Sequence, residues 1–196
     1  MRKSLPILDA DDVIIKLAEH SNIDSIISFY TENKAHFGQF YSLNTPDFYT
    51  KKYWEEKITN SIADYLGDRS CNFFLFSRTS PSRIIGYVNL FSFIRGAFQA
   101  CRLGYGIDSN HQNQGIMSKS LEKVIYFAFN VLNFHRIIAD YCPNNIHSAK
   151  LLKKLNFEIE GYAKKYLLIH GIWQDHVLTS LINNNWKSNL ELTDSS

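Results

Sequence analysis

The stretch His111-Gln112-Asn113-Gln114-Gly115-Ile116-Met117 constrains the fold more than any other, because of what flanks it. Upstream, Leu103-Gly104-Tyr105-Gly106-Ile107-Asp108 reads as an extended run entering a loop. Downstream, Met117, Leu121, Val124, Ile125, Ala128, Val131 and Leu132 recur at helical spacing. A strand, a polar glycine-bearing turn and a helix start gather several backbone N–H groups around one point, and the helix dipole adds positive potential there. Such a corner holds a phosphate without a side-chain cation and suits a pyrophosphate-bearing cofactor. As a bare pattern the turn is weak, since one Gly before a helix is ordinarily just a loop. Neither the nucleotide P-loop nor the three spaced glycines of a dinucleotide fold is present.

The rest of the chain supplies the context. Residues 1–12 read as a mixed, loosely held N-terminal extension, residues 13–186 as a single domain, and residues 187–196 as a flexible tail, with Asn183-Asn184-Asn185 also frayed. Val13, Ile15 and Leu17 alternate with polar neighbours in a first strand, followed by a helix over residues 21–34. Thr45-Pro46-Asp47 starts a second helix that runs to about Leu66. Residues 72–78, 84–94 and 98–107 are β-rich runs split by Ser80-Pro81-Ser82 and Arg95-Gly96-Ala97. After them the elements alternate: helix 115–132, strand 136–142, helix 145–155, and strands near 157–168 and 174–182 turned by Gly171. The order predicts an α/β (α+β) domain: a mixed central sheet of about seven strands, an antiparallel N-terminal meander and flanking helices.

Composition removes several function classes. A 196-residue chain with 45% hydrophobic and 20% charged residues buries a real core. Its net charge of +2 argues against bulk attraction to nucleic acid or membrane, and the only dense basic cluster is Lys150, Lys153 and Lys154. Three dispersed cysteines, Cys71, Cys101 and Cys142, lack metal spacing and read as reduced, buried thiols. No histidine pair has zinc spacing, so no metal is expected. With neither a signal-peptide pattern nor an apolar run of spanning length, the expected location is cytoplasmic.

A second helix start follows the same logic. Asn145-Ile146-His147-Ser148 opens a helix directly after the strand at 136–142, and an N-capping Asn explains it without any ligand. Two helix starts after adjacent strands nevertheless open at one sheet edge, where ligands bind in open α/β folds. Together these residues resemble the GNAT (GCN5-related) N-acetyltransferases. In that family a Gln/Arg-x-x-Gly-x-Gly/Ala turn binds acetyl-CoA pyrophosphate, and an Asn-x-x-Ser segment borders the cofactor arm. Within it, the chain looks most like the RimJ type of ribosomal-protein-alanine N-acetyltransferase. The resembling stretches are Arg95-Gly96-Ala97-Phe98-Gln99-Ala100-Cys101, Leu103-Gly104-Tyr105, residues 112–117, His135-Arg136-Ile137 and Pro143-x-Asn145-x-x-Ser148. They continue through Glu160-Gly161-Tyr162-Ala163-Lys164, Tyr166-Leu167-Leu168-Ile169 and Gly171-x-Trp173-x-Asp175-His176-Val177-Leu178, with Tyr30-x-Glu32-Asn33 near the N-terminus. Asn113 stands where a Gly is usual, Met117 fills the last small-residue place, and Asn156-Phe157 replaces Gly-Phe. Leu167 stands where the RimL branch has a Glu, so no base is carried over there.

The resemblance implies acetyl-CoA as acetyl donor and a protein N-terminus, that of a ribosomal protein, as acceptor; a homodimer stays open. Implied cofactor contacts are Leu103, Tyr105 and Ile107 on the third β-run, with Gln112, Asn113, Gln114, Gly115, Ile116, Met117 and Ser118 in the turn, and Asn145 and Ser148 beyond. Ser148 is the implied catalytic residue, serving the leaving thiolate. An α-amino group titrates near ~7.7–8.0 and a Lys side chain near ~10.4, so an N-terminal acceptor demands little of a base. Glu32, Glu160 and Asp175 are candidate ends of a water relay, and His111 and His176 are candidate bases. Tyr105, Tyr162 and Tyr166 are candidates for the acceptor groove, and Lys153 and Lys154 for the cofactor's phosphates. Two other readings stay open at this point: a small-amine acetyltransferase of the same fold, favoured by an acidic acceptor pocket, and a non-catalytic acyl-CoA-binding or ribosome-assembly factor.

Overall fold

A computed structural model describes residues 4–38 and 45–188. Eight strands form one sheet in the order β1-β2-β3-β4-β5-β6-β8-β7. In chain order they are β1 (Ile7–Ala10), β2 (Val13–Leu17), β3 (Cys71–Ser77), β4 (Ile84–Ile94), β5 (Ala100–Ile107), β6 (Arg136–Ile138), β7 (Glu158–Ile169) and β8 (Ile172–Ile182). Every neighbouring pair is antiparallel except β5 and β6. The expected mixed sheet is present, with one strand more than sequence counting gave.

The additional strand is β1, inside the segment expected to be loose. Asp11 takes a left-handed φ of 56° in the tight turn, and the Asp9 carboxylate accepts its N–H at 3.1 Å. Leu8 then pairs with Ile15, and Ala10 with Val13. At the other end, Asn183–185 are held rather than frayed: the Asn183 N–H donates to the His135 carbonyl at 2.8 Å, and the Trp186 indole donates to the Asn133 carbonyl at 3.0 Å. The final residues 189–196, most of the expected tail, lie outside the described residues.

Five helices flank the sheet among the described residues: α1 (Ile23–Glu32), α2 (Lys34–Phe37), α3 (Lys51–Leu66), α4 (Ile116–Asn130) and α5 (Ile146–Lys154). The continuous apolar run of β3 shows why both faces are covered, as in sheets buried on both sides. Phe73 and Leu75 face a core shared with Leu121, Val124 and Phe127 of α4 and Leu152 of α5. Phe74 and Phe76 face the opposite core, with Ile26 and Phe29 of α1 and Trp54 and Ile58 of α3. The helix expected over 21–34 is interrupted at Asn33, whose side chain donates to the Phe29 carbonyl and accepts the Ser109 N–H, each at 3.0 Å. Thr45-Pro46-Asp47 opens only a 3-10 turn, Pro46–Tyr49, and α3 starts at the Thr50 cap, whose hydroxyl accepts the Tyr53 N–H at 3.3 Å.

One topological detail sets up the site. β5 and β6 run in parallel through only Ala100–Arg136, Cys101–Ile137 and Arg102–Ile138, and then part. The strand expected over 136–142 is therefore shorter. Its continuation follows β8 instead: the Ala139 N–H donates to the Thr179 carbonyl at 3.0 Å, and Tyr141 exchanges backbone bonds with Val177. Residues 103–107 keep their antiparallel partners on β4 and, among the described residues, have no strand on the other edge. A cleft opens between the two arms.

Candidate active site

The turn at residues 112–118 is built as its sequence requires. Asn113 and Gly115 take left-handed φ values of 58° and 78°, turning the chain sharply into α4. Asn tolerates that region and Gly adopts it freely. Gly115 is the N-cap and no side chain among the described residues caps the helix, so its first-turn N–H groups are offered to what lies beyond. A Cβ on Gly115 would meet nothing within 4 Å, so open space borders the turn. Ser118, one turn in, is 6% exposed, and its buried hydroxyl has no hydrogen-bond partner among the described residues.

These residues border a cavity of about 660 Å³. Gln112, Asn113, Gly115, Ile116, Met117 and Ser118 form one wall, and Tyr105 and Ile107 of β5 another. Asn145 and Ser148 come from the first turn of α5, with Lys150 and Lys154 four residues apart on the same helix. Lys153, which the sequence put beside the phosphates, is absent from this lining, whereas Lys150 is part of it. Lys150 and Lys154, at i and i+4, share a helix face, whereas the adjacent Lys153 and Lys154 do not. Gln114 is directed elsewhere: its amide donates to the Asn110 carbonyl at 2.9 Å. His36 of α2 reaches the turn from the other side, its Nε2 lying 3.1 Å from the Gln112 side-chain nitrogen.

Asn145 serves as an N-cap, as elementary capping rules require: its Oδ1 accepts the Ser148 N–H at 3.1 Å. Its place in the cavity wall is additional to that task. The Ser148 hydroxyl makes no hydrogen bond of its own among the described residues, which removes the reading of a serine satisfied by its own helix.

A second cavity, about 380 Å³, fills the gap between the parting strands. Arg102, Leu103, Gly104 and Tyr105 line one side and residues 138–142 the other, closed by Leu167, Leu168 and Ile169 of β7 and His176 of β8. Tyr105, Asn145 and Ser148 border both cavities. Ser148 thus stands at their junction.

The carboxylates singled out from sequence are elsewhere. Glu32 lies 3.9 Å from Arg83. Glu160 is engaged by Ser180 and Arg136, which hold its carboxyl below the usual range. Asp175 closes the β7 bulge by accepting the Lys165 N–H at 2.8 Å and the Tyr162 hydroxyl at 2.7 Å, and these two bonds lower its titration in that order. None of the three lines either cavity. His176 is buried between the Cys142 sulfur at 3.5 Å and the Gln174 carbonyl at 3.2 Å. His111 borders the first cavity with Nδ1 3.7 Å from the Asp108 carboxylate. Tyr162 is exposed at the bulge, and Tyr166 accepts a hydrogen bond from Arg102 at 2.8 Å.

Residues 13–158 match the family described as Acetyltransferase (GNAT) domain. The chain is a GNAT acetyltransferase. It is 33% identical over 176 residues to the probable N-acetyltransferase YjcK of Bacillus subtilis (strain 168), an alignment covering 90% of this chain and 97% of the relative. It is also 33% identical over 179 residues to the [ribosomal protein uS5]-alanine N-acetyltransferase of Escherichia coli (strain K12), covering 91% and 92% respectively. The crystal structure of the ribosomal-protein-S5-alanine acetyltransferase from Vibrio fischeri superposes with a TM-score of 0.89 at 32% identity, covering 93% of this chain and all of that one.

A GNAT enzyme takes its acetyl group from acetyl-CoA, and the donor set at the first cavity fits that molecule. Uncapped helix N–H groups, an unpartnered buried hydroxyl and two lysines suit a phosphate-bearing anion. The edge of β5 beyond its last pair with β6 suits a chain of amides. Among the described residues no group of His, Cys, Asp and Glu is placed to hold a metal ion, and no helix is long and apolar enough to cross a membrane.

Proposed function

We propose that this N-acetyltransferase acts on the N-terminal α-amine of a protein, a ribosomal protein, in the cytoplasm. The observation that supports the reading is the junction: Ser148 borders both the cavity at the start of α4 and the second cavity between the parting strands. The names of the relatives from Escherichia coli and Vibrio fischeri, each aligned over more than nine-tenths of this chain, support the acceptor class.

In this reading the amides of residues 112–118 grip the diphosphate, with Lys150 and Lys154 adding charge. The edge of residues 103–107 that faces away from β4 would order the pantetheine arm and offer one N–H to the reacting carbonyl oxygen. A donor so placed contributes roughly 2.7–4 kcal/mol in comparable sites. Acetyl-CoA, when bound, supplies an activated thioester carbonyl. Ser148 hydrogen-bonds the departing sulfur, and Asn145 fixes the helix turn that carries it. The acceptor cavity disfavours a small polycation, because Asp140, the only carboxylate lining either cavity among the described residues, is neutralised by Arg102 at 2.6 Å.

Incubation with labelled acetyl-CoA and a panel of peptides with free N-termini tests the reading, followed by N-terminal mass spectrometry of a treated lysate. Label on the α-amine of a ribosomal protein is the expected outcome. Label confined to small amines overturns it.

A further inference from the structure

Asp140 occupies an unusual position. Its side chain is 5% exposed, and Oδ2 accepts the Arg102 Nη1 donor at 2.6 Å. Oδ1 is buried and accepts no hydrogen bond among the described residues. Arg102 is held on its far side by Tyr166, whose hydroxyl accepts from Nη2 at 2.8 Å. Three chain segments therefore hold this carboxylate in the wall of the acceptor cavity: β5, the arm beyond β6, and β7. A charged oxygen kept from water without a donor is costly, and that cost is relieved when a ligand brings one.

We propose that Asp140 Oδ1 accepts an N–H from the acceptor's α-amine and orients its lone pair toward the first cavity. This assignment rests on the N-terminal acetyltransferase reading above. The terminal torsion of an Asp is soft and moves both oxygens together, so Oδ1 turns toward an arriving donor as the Arg102 guanidinium follows Oδ2. Arg102 matters for a second reason. A lone carboxylate would favour the protonated amine, which cannot attack a carbonyl. Paired with Arg102, Asp140 keeps its acceptor oxygen but exerts little net field, so the amine is positioned without being locked as ammonium.

The pairing also makes the assignment sharply testable. A guanidinium only donates. In Asp140→Asn the amide oxygen must therefore face Arg102, and the NH2 group faces the amine, which inverts the polarity of the subsite at nearly constant volume. Adding Arg102→Met frees the amide to turn its oxygen back.

The experiment measures steady-state acetylation of an alanine-initiated peptide by acetyl-CoA, CoA affinity by calorimetry and thermal unfolding, for wild type, Asp140→Asn and the Asp140→Asn/Arg102→Met pair. Expected for Asp140→Asn is a fall of about 10- to 100-fold in kcat/KM for the peptide, with CoA affinity unchanged and most activity restored in the double variant. Full activity in Asp140→Asn overturns the inference but leaves the functional reading standing. So does a loss that follows CoA affinity or melting temperature alone. A wild-type protein that binds CoA yet acetylates no peptide N-terminus defeats the functional reading and this inference with it.

Discussion

Gly115 offers the most discriminating perturbation, because the structure separates its backbone role from its spatial one. Its φ of 78° penalises any other residue, whereas a Cβ there meets nothing within 4 Å. Gly115→Ala and Gly115→Trp thus share one cost to folding, about 1–3 kcal/mol for a non-Gly residue held left-handed. At about 2–4 °C per kcal/mol for a chain of this size, both should melt about 2–12 °C below wild type. They differ in what fills the cavity. An indole, with a surface of about 150–250 Å², projects into the space where the phosphates are proposed to sit. Losing two charge-assisted hydrogen bonds at about 1.5–3 kcal/mol each lowers CoA affinity by about 10²- to 10⁴-fold. The methyl of Ala leaves room for much of that contact. Titration of CoA by calorimetry, alongside thermal unfolding, separates the two effects. A Trp variant that is folded and binds CoA as tightly as wild type would refute the phosphate corner, and equal losses in Ala and Trp would show that backbone strain alone is at work.

Other outcomes follow from the same geometry. Ser148→Ala should slow turnover by about 10²-fold with CoA affinity largely intact, and an unchanged kcat removes Ser148 from the chemistry. The Glu160 carboxyl is held low by Ser180 and Arg136, so its contribution to stability is present above the ordinary Glu value of about 4.3 and is lost as pH falls through the lower folded one. Urea unfolding of wild type and Glu160→Gln should accordingly converge on acidification from neutral pH, and a gap that stays constant contradicts the assignment. Burial pushes the Cys101 thiol up to about 12 and raises that of Cys142, but Cys142 lines the second cavity. Peptide mapping after native alkylation should find Cys142 modified ahead of Cys101, and equal rates would mean the cavity does not admit the reagent.

How much was legible in the sequence depended on the range of the interactions involved. The corner at residues 112–118 is local chemistry: two left-handed residues, a helix start and a buried hydroxyl, all within one turn. It was readable because its parts are adjacent in the chain. The Asn145 cap is local in the same way. Strand β1 was missed because four residues carry little alternation, and what secures them is pairing with β2 together with the Arg78–Asp9 ion pair, 69 residues apart in sequence. The carboxylates failed for the converse reason. Glu160 and Asp175 sit in recognisable motifs, but their partners, Arg136, Ser180, Tyr162 and Lys165, assemble only when β6, β7 and β8 align. Asp140 attracts no notice in Ile138-Ala139-Asp140-Tyr141 until Arg102 and the cavity are beside it.

The cleft itself rests on backbone ladders rather than on the residues that face it. β5 is held to β4 as far as Ile107–Gly86, well past the point where β6 departs. The departing arm is held separately to β8, through Ala139 with Thr179 and Tyr141 with Val177, and the buried Thr179 hydroxyl also donates to the Ala139 carbonyl. Each wall thus keeps its own hydrogen bonds. The Arg102–Asp140 ion pair spans the arms where they part, from Arg102 in the last β5–β6 pair to Asp140 just beyond β6. A site held this way is organised before any substrate arrives, so little binding energy is diverted into shaping it. The same arrangement decouples chemistry from folding. Changes at Ser148 or Asp140 alter what lines the gap but leave both ladders intact, so a kinetic effect there reports on the reaction rather than on collapse of the cleft.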